Sequence, residues 1–82
     1  MSVRVEAESW ILEALNTHGG EATIPQICKY IWDNYEELLR SSGDGFYIWQ
    51  YEVRWAAMNL RKKGNLKAAD RERRGIWQIQ KL

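Results

Sequence analysis

Cysteine, proline and histidine occur once each among the 82 residues. A single Cys28 cannot close an internal disulfide, and its place on an apolar helical stripe suits a packed, inert thiol. One histidine and one cysteine, separated by Gly19, Gly20 and the start of a new helix, supply neither a zinc ligand set nor a nucleophile–base pair. His18 falls in the last turn of a helix on its apolar side, where capping or packing is the expected role. Glu36 and Glu37 are helix neighbours pointing about 100° apart, which suits a solvated face better than paired acid–base work. The glycine clusters lack phosphate-loop spacing. The composition therefore asks for no metal, no cofactor and no catalytic residue, and the chain is not expected to be an enzyme.

Long apolar runs are missing as well. No stretch approaches the roughly 18 residues needed to cross a bilayer, and the N-terminus lacks the basic-then-apolar pattern of a signal peptide. The expectation is a soluble, intracellular (cytoplasmic) protein with no membrane partner. A chain of this length builds one core, so residues 1–82 are read as a single domain. Five Trp, four Tyr and one Phe help so short a chain to close that core, because each aromatic buries a large area.

The net charge is only +1, but its distribution is uneven. Up to Asp44 the chain carries three Lys or Arg against eight Asp or Glu, a balance of −5. Beyond it, nine basic residues face three acidic ones, a balance of +6. The basic part coincides with the stretch from Trp49 to Ile79, which reads as a helix, a glycine stop, and two short strands around a basic turn.

The element order follows from periodicity. From about Val5 to His18, Ala7, Ile11, Ala14, Leu15 and His18 share one helical face, with Trp10 and Leu12 at its edges. Gly19 and Gly20 stop this helix, and Glu21 to Ala22 is extended. Thr23 is the expected N-cap of a second helix, with Pro25 in its first turn and Gln26 completing a capping box. Ile24, Ile27, Cys28, Ile31, Tyr35 and Leu38 carry its stripe to about Arg40, with a candidate break near Asn34. Ser41 to Gly45 is a loop, and Asp44 is the candidate cap of the third helix. Trp49, Val53, Ala56, Ala57 and Leu60 point inward there, and two alanines in the stripe imply close packing on another helix. Gly64 ends it. Leu66 and Ala68, then Trp77 and Ile79, alternate with polar residues and predict an antiparallel hairpin around Asp70 to Gly75.

With Val53 at the centre of the buried arc, Tyr47, Tyr51, Arg54, Met58 and Lys62 fall on the outer side of the third helix, flanked by Gln50 and Arg61 on one edge and by Trp55 and Asn59 on the other. Tyr, Gln, Arg and Met can read base edges or pack on thymine methyls and sugars, and arginine can grip guanine in bidentate fashion. The competing reading packs Tyr47 and Tyr51 on the second helix and leaves Arg54 merely solvated. Trp55 is expected to be covered by the hairpin or the first helix. Arg71, Arg73 and Arg74 on the turn can reach phosphates or a minor groove, although Asp70 and Glu72 also fit an ordinary soluble turn.

These residues resemble a family. GDGFYIWQYEVRWAAMNLRKKGNLKAADRERRGIWQI is similar to the N-terminal winged-helix module of Mrr-type restriction endonucleases. The likeness runs through Val53, Arg54, Trp55 and Ala56, then Leu60, Arg61, Lys62, Gly64 and Leu66, then Arg74, Gly75 and Trp77. The resemblance implies an α+β winged helix-turn-helix, three helices plus a short C-terminal antiparallel hairpin or wing, that recognises double-stranded DNA. In that family the module is attached to a nuclease that cuts foreign or modified DNA. This chain stops just after the hairpin without room for a nuclease domain, so it is expected to be an excised or free-standing recognition unit, and restriction activity is not carried over. The rival expectation is a winged-helix protein–protein interaction module. A homodimer is a third arrangement, to which an exposed Trp10 or Trp32 would point.

Overall fold

The computed structural model describes residues 2–68 and 71–80. Helix α1 spans Val3–Thr17, strand β1 Glu21–Thr23, helix α2 Ile24–Arg40, helix α3 Gly45–Lys62 and strand β2 Ile76–Gln78, with a 3-10 turn at Arg71–Arg73 before β2. Three helices and an antiparallel strand pair make a small α+β domain around one core.

Helix α1 starts two residues earlier than its apolar period suggests, because the Ser2 hydroxyl accepts a hydrogen bond from the Val5 amide and caps it. Its last turn closes through the Gly20 amide, which donates to the Leu15 carbonyl at 2.7 Å while Gly20 takes a φ of +105°. A residue with a Cβ is strained in that conformation. His18 lies beyond the helix and is exposed, so it does not belong to the packing face.

The Thr23–Gln26 capping box forms as expected: the Gln26 amide donates to the Thr23 hydroxyl at 3.2 Å and the Thr23 amide to Gln26 Oε1 at 2.9 Å. Helix α2 then breaks phase at Tyr35, whose φ of −129° and ψ of 21° are not helical. Downstream of the kink the inward position moves by one residue, from the expected Leu38 to Leu39. What holds the kink is the Tyr35 ring, stacked on Trp10 of α1 with centroids 4.5 Å apart and a 17° interplanar angle. Its hydroxyl donates to the Glu13 carboxylate.

Asp44 does not cap α3. Its φ and ψ are themselves helical, at −61° and −24°, and its side chain makes no capping bond. An N-cap needs extended backbone to bring its oxygen over the next amides. Helix α3 lies against α1, the most extensive helix contact in the fold, with Ala7 and Ala14 of α1 and Ala56 and Ala57 of α3 buried. Small side chains on both partners let the two backbones approach closely.

Strand β2 pairs antiparallel with β1, placing Ala22 opposite Trp77 and Thr23 opposite Ile76. The expected hairpin is reduced to a single bridge, Leu66 with Ile79, flanked by Lys67 amide to Gln78 carbonyl and Gln80 amide to Asn65 carbonyl, both 2.9 Å. Ala68 is exposed and outside any strand. The segment 76–80 thus has β1 on one side and 65–67 on the other. The Ile24 amide donates to the Gly75 carbonyl at 2.9 Å, tying the start of α2 to the base of the turn.

The core contains Ile11, Leu15, Ile27, Ile31, Val53 and Leu60, all buried, with Ile79 partly buried against them. Trp10, expected at an edge, is fully inside. Among the described residues no helix is long and apolar enough to cross a membrane.

Candidate nucleic-acid interface

Because Val53, Ala56, Ala57 and Leu60 are drawn into the core, the 3.6-residue period leaves the opposite side of α3 to solvent. Tyr47 is 83% exposed and Tyr51 57%. Gln50, Arg54, Met58 and Lys62 are exposed with them. The two tyrosines therefore do not pack on α2. Ile48 is exposed beside them as well, a residue the outer-face reading did not include.

The flank of this face is shaped by α1. Arg4 grips Glu52 with two hydrogen bonds, Nε to Oε2 at 2.6 Å and Nη2 to Oε1 at 3.2 Å. Its guanidinium also lies over the Trp55 ring, 5.0 Å from the centroid. Trp55 is half-buried under this cover from the first helix, and Tyr51 meets it edge-on at 6.2 Å. Glu52 is the one acidic residue of α3. Its charge is compensated at source, so the outer face presents no bare carboxylate. Arg54 and Lys62 have no ion-pair partner among the described residues.

Folding mixes the two halves of the charge pattern. Lys63 pairs with Glu8 at 2.5 Å, and Arg73 pairs with Glu21 of β1. Part of the sequence's charge asymmetry is thus consumed in contacts across the domain. Arg74 is exposed at the same turn. Of the expected tip, Asp70 and the side chain of Arg71 lie outside the described residues.

A residue in the acidic part of the chain also reaches this side. Lys29 of α2, with Cys28, Trp32, Phe46, Trp49 and Gln50, lines an open groove of about 420 Å³ between α2 and α3. Its ammonium pairs with Asp33 at 2.6 Å. Its exposed position, two residues after the buried Ile27, follows from the helical period. Cys28 is half-buried; desolvation pushes its thiol up, opposed by the charge of Arg54. Trp32, packed near Trp49 and Phe46, is partly buried rather than free, and Trp10 is buried, so neither offers an open indole for self-pairing. Among the described residues no group of three His, Cys, Asp or Glu side chains could hold a metal ion.

Comparison with protein families, with curated proteins and with solved structures returned no match.

Proposed function

We propose that the chain is a winged-helix DNA-binding module, with α3 entering the major groove of double-stranded DNA and the basic turn before β2 lying on the backbone or in the minor groove. The observation that carries this reading is the outer face of α3. Tyr47, Gln50, Tyr51, Arg54, Met58 and Lys62 stand together on solvent, in a helix whose opposite side is locked into the core by five buried residues, Trp49, Val53, Ala56, Ala57 and Leu60. Such side chains combine base-edge reading, apolar contact with thymine methyls and phosphate attraction. The order helix, strand, helix, helix, bridge, strand supports it, as does the resemblance to the recognition module of Mrr-type endonucleases. By that resemblance the domain belongs to the recognition part of a restriction or defence system.

Binding to a random duplex pool at two salt concentrations tests the reading. Affinity should fall steeply as salt rises, since each phosphate contact contributes about 0.9 to the log–log slope. Arg54→Ala should cost about 1–3 kcal/mol on a preferred sequence and relax preference at one position, if it grips a base. Unchanged discrimination would transfer the base-reading role to Gln50 and Tyr51.

A second reading, a protein–protein interaction module, is favoured by one observation. Ile48 and Met58 add exposed apolar surface to the tyrosines of the same helix. Salt-insensitive binding to a protein together with no affinity for duplex DNA would select it.

A further inference from the structure

Several aromatic rings of this domain are paired inside it. Trp10 stacks on Tyr35, and Trp32 lies nearly parallel to Trp49 with centroids 6.1 Å apart. Tyr47 and Tyr51 differ. Their ring contacts, to Phe46 and Trp55 respectively, are edge-on at 76°, and both rings stand in solvent one helical turn apart. Among the described residues neither is stacked face to face on a neighbour. On the same helix, Arg54 and Lys62 lack ion-pair partners among the described residues, while Glu52 is neutralised by Arg4.

A surface of open aromatic rings interleaved with uncompensated cations is complementary to a ligand that has flat, apolar faces and negative charge. A nucleotide has both. The base faces of a perfect duplex are hidden by their neighbours in the stack, so two exposed tyrosines gain little from it beyond edge and methyl contacts. Unstacked bases present those faces, and stacking on aromatic side chains is tolerant of base identity. Gln50, exposed on the same helix, carries both a donor and an acceptor for the edge of a base so displaced.

We infer that the preferred target is DNA carrying locally unstacked bases, a mismatch bubble, bulge or gap, with Tyr47 and Tyr51 as the stacking platform. This rests on the DNA-binding reading above and narrows its substrate class. A protein partner covering the same face is the competing outcome.

The test compares three labelled probes of one sequence by fluorescence anisotropy at fixed salt: a perfect duplex, the same duplex with adjacent mismatched pairs, and the single strand. The mismatched duplex should bind more tightly than the perfect one by roughly 5- to 150-fold per stacked base, the fold-change equivalent of ~1–3 kcal/mol at ~1.4 kcal/mol per decade. In the double variant Tyr47→Ala and Tyr51→Ala this ratio should fall toward one. The double variant Tyr47→Phe and Tyr51→Phe should keep it, since the π-face survives. Both rings are exposed, so thermal unfolding of either variant should match the parent. Equal affinity of the perfect and mismatched duplexes, or a preference that persists in the alanine variant, overturns this inference and leaves duplex recognition standing. Absence of binding to all three probes overturns both.

Discussion

Leu38 and Leu39 are neighbours in the chain on opposite sides of the surface: Leu38 is 44% exposed and Leu39 wholly buried. A straight α2 with the phase of Ile24, Ile27 and Ile31 would bury Leu38 instead. The one-residue shift is introduced at Tyr35, where stacking on Trp10 and the hydrogen bond to Glu13 hold a non-helical backbone.

Leu39→Ala should therefore destabilise the domain by about 2–5 kcal/mol, the range for removing a buried leucine side chain. Leu38→Ala should stay within about 0.5 kcal/mol, as surface substitutions do. Chemical denaturation of the two variants checks the phase of the helix. The reverse order, with the larger loss at Leu38, would mean that α2 runs straight through Tyr35.

The contact between Tyr35 and Glu13 has a signature at alkaline pH. The hydrogen bond donated to the Glu13 carboxylate, reinforced by burial and by the carboxylate's charge, pushes the Tyr35 phenol up from its ordinary 10.0 to about 12. The neutral phenol is favoured in the folded state, so its contribution is intact below pH 10 and is lost as pH rises from there through about 12. Unfolding midpoints of the parent should fall across that window more than those of Tyr35→Phe, which has no proton to lose. Parallel pH profiles for the two proteins would contradict the contact.

Glu21 competes for one of the arginines at the basic turn. The Glu21–Arg73 pair is largely solvent-exposed, and exposed pairs are worth about 0–1 kcal/mol, so a phosphate can displace it. Glu21→Gln should tighten duplex binding by up to about fivefold and steepen the log–log salt slope by about 0.9 if Arg73 then contacts a phosphate. Adding Arg73→Ala should reverse both effects. A slope unchanged by Glu21→Gln would place Arg73 away from the DNA backbone.

Local rules made most of the framework legible in the sequence. The Thr23–Gln26 capping box, the glycine stops at Gly20 and Gly64, and the inward stripe of α3 all depend on residues within a turn of one another. The candidate break near Asn34 was legible as well, since α2 kinks one residue further on, at Tyr35. The Asp44 cap failed locally, on its own helical backbone, and the other departures came from distant partners. The shift from Leu38 to Leu39 depends on Tyr35 meeting Trp10 and Glu13, and the principal strand pairing joins Ala22 to Trp77 across most of the chain. Neither contact leaves a trace in a local period. At the candidate interface, the exposed row from Tyr47 to Lys62 followed directly from the phase of α3. Pairing of Arg4 with Glu52 and of Arg73 with Glu21 did not, because a linear charge tally is blind to which opposite charges meet after folding.

Amide chemical-shift mapping during titration with a short duplex asks whether the outer face of α3 is the DNA-binding surface. Perturbations that fall off with added salt should centre on Tyr47, Gln50, Tyr51, Arg54, Met58 and Lys62, with a second group at Arg74. Perturbations centred instead on α1 around Val5, or none at protein and DNA concentrations where nonspecific binding of roughly 10⁻⁴–10⁻⁶ M would register, would contradict the account.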